Sequence, residues 1–165
     1  MTGFEWQNVL HVSTNCDIVK KIEWYSYSVR ESEWDDRKRE DRFAVRKSTM
    51  TLQECYQKMG GDYTDVKRRL IKEERIEKYV VRFLKDDSFQ RLCNARAAKN
   101  DDEVFRAVHT LKGVSQNLGF ARLYEACYSM TEAVRGGVKL ENEALFDAVA
   151  KEYQTTVDCI KMYCE

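Results

Sequence analysis

No proline occurs anywhere in the 165 residues, and glycine occurs only seven times. Strand-rich folds depend on frequent tight turns, and tight turns draw on these two residues. A chain so poor in both, with abundant Lys, Glu, Arg, Leu and Ala, predicts an all-α fold. Its 43% apolar content is enough for one domain, or one domain with an appendage.

Charge removes further classes. The 28 basic residues are balanced by 28 acidic ones, whereas a nucleic-acid binder carries a basic excess to neutralise phosphates. No nucleic acid is therefore expected as a partner. No apolar run approaches the roughly 20 residues of a membrane span, and the opening MTGFEWQNVL lacks the basic-then-apolar layout of a signal peptide. The expected address is cytoplasmic, with no membrane association. Cys16, Cys55, Cys93, Cys127, Cys159 and Cys164 are scattered without a C-x-x-C pair, so they are expected as reduced thiols, most of them packed in the core. His11 and His109 are the only histidines, too far apart and too isolated to suggest a metal site.

Composition shifts near residue 50. Trp6, Trp24 and Trp34 all precede it. Residues 22–29 alternate loosely like a short strand, but one strand has nothing to pair with. Residues 31–42, ESEWDDRKREDR, are dense in both signs of charge and are best read as a solvated linker or frayed helix. Residues 1–49 are expected to form an extension that is poorly structured or dispensable.

From Thr51 onward the spacing is helical. Thr51-Leu-Gln-Glu54 is a capping box, and Gly60-Gly61 stops that helix. Asp62 caps a second that carries Val66 and Leu70, and Ile76, Val80, Phe83 and Leu84 mark a third that ends at Asp86-Asp87. Ser88 is predicted to cap a fourth carrying Phe89, Leu92, Cys93 and Ala97, and Asp101 or Asp102 to open a fifth that runs to Gly119. A sixth over 121–135 places Leu123, Cys127, Met130 and Val134 inward and stops at Gly136-Gly137. The last starts near Glu141, with Leu145, Val149, Thr156 and Ile160 on one side. Short connections imply antiparallel neighbours in a bundle.

The fifth helix carries an anomaly. Val104, Val108, Leu111, Ser115 and Leu118 form one stripe, and His109 falls roughly 145° away from its centre, on the outward side. Phe105, Lys112, Gly113 and Gln116 neighbour it at i−4, i+3, i+4 and i+7. A mid-helix glycine costs about 1 kcal/mol relative to alanine, so something should require the missing side chain. One explanation is close packing against another helix or simple drift. The other is clearance above the imidazole for a large body, with Lys112 supplying a cation to an anion bound on the ring. A nucleophilic imidazole, a cation one turn away and open space are what a phosphoryl carrier needs.

His109-Thr-Leu-Lys112-Gly113-Val-Ser115-Gln-Asn-Leu118-Gly119 resembles the H-x-x-K-G-x-[SA]-x-x-[LIV]-G signature of histidine-containing phosphotransfer (HPt) domains. The resemblance extends from about Thr51 to the C-terminus, includes Phe83-Leu84-Lys85-Asp86-Asp87-Ser88-Phe89, and leaves out residues 1–49. It implies that residues 50–165 are an HPt domain: an antiparallel four-helix bundle over 88–99, 101–118, 120–135 and 142–164, with the helix near 76–84 across it and short N-terminal helices covering its end. It further implies that His109 is exposed, takes a phosphoryl group from a receiver domain's aspartyl phosphate and passes it to another receiver. The expected partners are response-regulator receiver domains and hybrid histidine kinases, with Mg²⁺ supplied by the receiver and no cofactor held by this chain, which is expected to be a monomer. It would be a phosphocarrier rather than an autonomous enzyme, since no ATP-binding motif is present.

By helical rise, the helix returning from Gly119 should pass His109 near residues 129–132. Ser129, Thr131 and Glu132 are the polar candidates there, with Arg135 one turn further on. Thr131 stands where many members of the family have a glutamine near the histidine, which leaves Gln116 as a candidate to orient the ring. Arg135 is read equally as a cation serving the helix C-terminus or as a docking residue. Lys112 could also be a solvated charge, and Ser115 and Leu118 are most simply packing residues. The competing function is a helical adaptor that binds partners without carrying phosphate, although such an adaptor need not keep both His109 and Lys112.

Overall fold

The computed structural model describes residues 50–165; the expectations placed on residues 1–49, and on Cys16 within them, lie outside the described residues. Among the described residues all regular structure is helical: α1 (Leu52–Met59), α2 (Tyr63–Leu70), α3 (Glu73–Phe83), α4 (Ser88–Ala97), α5 (Asp101–Leu118), α6 (Ala121–Ala133) and α7 (Glu143–Cys164). The all-α expectation holds.

Local chemistry sets the helix ends. At α1 the capping box is complete: the Glu54 N–H donates to the Thr51 hydroxyl at 3.2 Å, and the Thr51 N–H donates to the Glu54 carboxylate at 2.6 Å. The Thr51 N–H holds the Glu54 carboxyl below its ordinary pKa. Other starts differ by a residue from the sequence expectation. Asn100, rather than Asp101 or Asp102, caps α5 by accepting the Glu103 N–H, and the two aspartates sit in the first turn, where negative charge meets the positive helix end. Ser88 is the first residue of α4 and not its cap. It is buried, and its N–H donates to the Asp86 carboxylate at 3.0 Å. Asn142 caps α7 one residue after the predicted start.

Helices α4 to α7 form the bundle, each packed most closely on the next in sequence. Aromatic rings close it between α4 and α7. Phe89 stacks on Phe146 (6.2 Å, 15°) and on Tyr153 (4.2 Å, 14°), while the Arg96 guanidinium lies 3.8 Å above the Phe146 ring and pairs with Glu143. The predicted inward stripes of α5 and α6 are buried throughout. Two inward positions were misassigned. Phe146, not Leu145, is the buried residue at the start of α7, because Phe146 is the one that meets Phe89, and Ala97 is exposed whereas Ala95 is buried.

Helix α3 crosses the bundle against α5 and α7, and Phe83 lies edge-on to Phe120 at 5.1 Å. Helix α1 packs along α7, where the Cys55 thiol donates to the Cys159 carbonyl. Cys55, Cys93, Cys127 and Cys159 are buried free thiols, and Cys164 is free and exposed. Burial pushes the Cys55 and Cys127 thiols up to about 12, so they stay protonated and inert.

Candidate functional site

The buried stripe of α5 fixes which way its other face points. With Val104, Val108, Leu111, Ser115 and Leu118 all buried, His109 has no choice but to face outward, and it is exposed. Phe105, one turn earlier, is half-buried and lies 5.7 Å from the imidazole centroid with the rings tilted at 50°. Among the described residues no side chain hydrogen-bonds the imidazole, and Gln116 is exposed on the same face without reaching it. The aromatic neighbour of the ring is Phe105.

The surroundings of Gly113 bear on one explanation for its presence. Among the described residues, a Cβ built there would meet nothing within 4 Å. Close packing against another described helix is therefore not the reason for the glycine. Among the described residues, the space beside this turn of α5 is open.

Lys112 is half-buried and reaches across to α6. Its Nζ lies 5.7 Å from the centroid of the Tyr128 ring, within cation–π range. Its charge also reaches two other α6 residues, favouring the ionised forms of Glu132 and Cys127. Arg135 is exposed and holds Glu132 with two hydrogen bonds, Nη2 to Oε1 at 2.5 Å and Nε to Oε2 at 3.1 Å. Arg135 hydrogen bonding, followed by its charge and that of Lys112, keeps the Glu132 carboxyl below its usual range. The structure thus brings Phe105, His109, Lys112 and Gly113 together on α5, with Tyr128 and Glu132 alongside on α6 and Arg135 just past its end.

Thr131 is not part of this face. It is buried at 1% exposure, and its hydroxyl donates to the Cys127 carbonyl at 2.7 Å. The reason is periodicity: Thr131 follows Cys127 at i+4 and precedes Val134 at i+3, both buried. That spacing was visible in the sequence. Tyr128 is the residue that sequence reasoning missed, although Tyr124, Tyr128, Glu132 and Arg135 are spaced as one helical stripe.

The far end of α5 is tied down from outside the bundle. The Tyr56 hydroxyl donates to the Leu118 carbonyl at 2.8 Å, and the Arg69 guanidinium donates to the carbonyls of Gln116 (3.0 Å) and Asn117 (3.1 Å). The Asp62 N–H donates to the Gly119 carbonyl at 2.8 Å. Helix ends leave carbonyls short of partners; α1, Asp62 and α2 supply donors to this one, where Gln116 also accepts the Gly119 N–H and Gly119 the Ala121 N–H. Among the described residues no group of three His, Cys, Asp or Glu side chains is close enough to hold a metal ion, and no helix is long and apolar enough to cross a membrane.

Residues 85–158 match the family model of the Hpt domain. The match runs from just before α4 to near the end of α7 and contains His109, Lys112 and Gly113; α1, α2 and α3 lie ahead of it. No curated protein and no solved structure matches the chain significantly.

Proposed function

Because this chain carries an Hpt domain, we propose that it is a histidine phosphocarrier of a two-component phosphorelay, with His109 as the residue that is phosphorylated. The observation that carries this reading is the exposed His109 imidazole beside open space at Gly113. The partner is a receiver domain presenting an aspartyl phosphate, and hybrid histidine kinases are a source of such domains. The imidazole nitrogen farther from the backbone, Nε2, attacks phosphorus. A P–N bond forms as the P–O bond to the aspartate breaks, and the aspartate leaves as a carboxylate. Transfer to the next receiver reverses these bonds.

Phosphoryl transfer depends mainly on positioning and charge neutralisation. The receiver supplies Mg²⁺ and its own catalytic groups, and this chain supplies the nucleophile, the Lys112 ammonium and a docking face with room for the incoming domain. Phe105, Gln116 and Arg135 border that face and are assigned to docking, and Thr131 is withdrawn from it by its burial. The chain is a carrier without its own nucleotide chemistry, acts as a monomer and works in the cytoplasm.

Incubation with a phosphorylated receiver tests the reading. The natural chain should take up label that is acid-labile and base-stable, and His109→Gln should take up none while melting at the same temperature. Label on His109→Gln, or none on the natural chain, would refute it. Residues 50–165 are proposed as the complete carrier. A 50–165 chain should accept phosphate at the rate of the full chain and melt within a few degrees of it; a large loss of melting temperature would show that residues 1–49 belong to the fold.

A further inference from the structure

Tyr128 has no part in the relay chemistry above, yet it is the side chain that Lys112 meets. Its ring is 45% exposed, and a large aromatic left at the surface beside a reactive face invites a functional account. Two groups on α6 could attract the Lys112 ammonium: the Tyr128 ring, 5.7 Å away, and the Glu132 carboxylate, whose ionisation the ammonium favours. They differ in what they leave behind. A carboxylate neutralises the ammonium, and that pairing must be given up before Lys112 can serve an incoming anion. A π face attracts the cation through its quadrupole and leaves the full positive charge available. The clamp of Arg135 on Glu132 takes up the carboxylate and leaves the ring as the surface on which Lys112 rests.

We propose that Tyr128 is a positioning residue for Lys112: its ring keeps the ammonium next to the His109 face, so that less side-chain freedom is lost when Lys112 turns to a phosphoryl group on the imidazole. The proposal rests on the relay reading of His109. An exposed cation–π contact corresponds to about a two- to fivefold change in rate, and the test must resolve an effect of that size.

Phosphoryl uptake from a phosphorylated receiver is compared for the natural chain, Tyr128→Phe, Tyr128→Leu, Lys112→Ala and Lys112→Ala combined with Tyr128→Leu. Tyr128→Leu should be about two- to fivefold slower, Tyr128→Phe should match the natural chain because it keeps the ring, and Tyr128→Leu should change nothing further once Lys112 is alanine. In the free protein, the Lys112 ε-methylene protons should show an upfield ring-current shift in NMR that survives in Tyr128→Phe and disappears in Tyr128→Leu. The proposal is overturned if Tyr128→Leu transfers normally, if Tyr128→Phe is as slow as Tyr128→Leu, if the leucine effect persists without Lys112, or if the ring-current shift is missing from the natural chain. A natural chain that takes up no label refutes the relay itself, whereas normal uptake by every Tyr128 variant refutes only the role of Tyr128.

Discussion

Gly113 lies within α5 and Gly119 caps it, yet the described residues account for only one of them. Gly119 closes α5 with φ +67°, and a Cβ there would collide with Val66 Cγ2 and come within 2.9 Å of the Asp62 carbonyl. The backbone conformation and the crowding both demand glycine, and both come from within the chain. Gly113 sits mid-helix, where a Cβ would touch nothing and would favour the helix. The difference separates a residue selected by folding from one that folding alone would replace. Among the described residues nothing fills the space beside Gly113, which supports the proposed docking of an incoming domain there.

The comparison breaks first at Gly119. Gly119→Ala should destabilise the domain by about 3 kcal/mol, summing the left-handed backbone cost and the collision with Val66, read as a lower urea midpoint; a midpoint within error of the natural chain would show that α2 moves aside freely. Gly113→Ala should act in opposite directions on two measurements. Transfer from a phosphorylated receiver should slow by roughly ten- to a hundredfold as the docked geometry is displaced, while stability rises by up to about 1 kcal/mol. Unimpaired transfer would remove the clearance argument. The smallest effect is at the tied end: Tyr56→Phe, which leaves the Leu118 carbonyl without its partner, should cost about 1 kcal/mol and leave transfer unchanged. A transfer defect there would mean that the two ends of α5 are coupled more tightly than the contrast allows.

What was legible in the sequence follows the range of the interactions. Helix identity and the inward stripes depend on spacing within one segment, and the buried positions of α5 and α6 match the 3.6-residue period. His109, Lys112 and Gly113 were legible for the same reason, since their adjacency lies within two turns of one helix. The caps slipped by one residue because Asn100, Asp101 and Asp102 are all competent cap residues and only the path of the chain selects one. Thr131 was misplaced by weighing its polarity above its register with Cys127. The contacts of Tyr128 with Lys112, and of Arg69 with Gln116 and Asn117, could not be read at all. They depend on how separate helices are set against one another, which no local pattern encodes.

The hydrogen bonds from Tyr56, Asp62 and Arg69 to the end of α5 also determine where the chain can be cut. A fragment trimmed to residues 85–158 would shed all three donors, taking from the Asn117 and Leu118 carbonyls their side-chain partners and leaving Gln116 and Gly119 only the N–H groups of Gly119 and Ala121. Scissors guided by the family pattern would therefore remove part of the brace of the very helix they were meant to isolate.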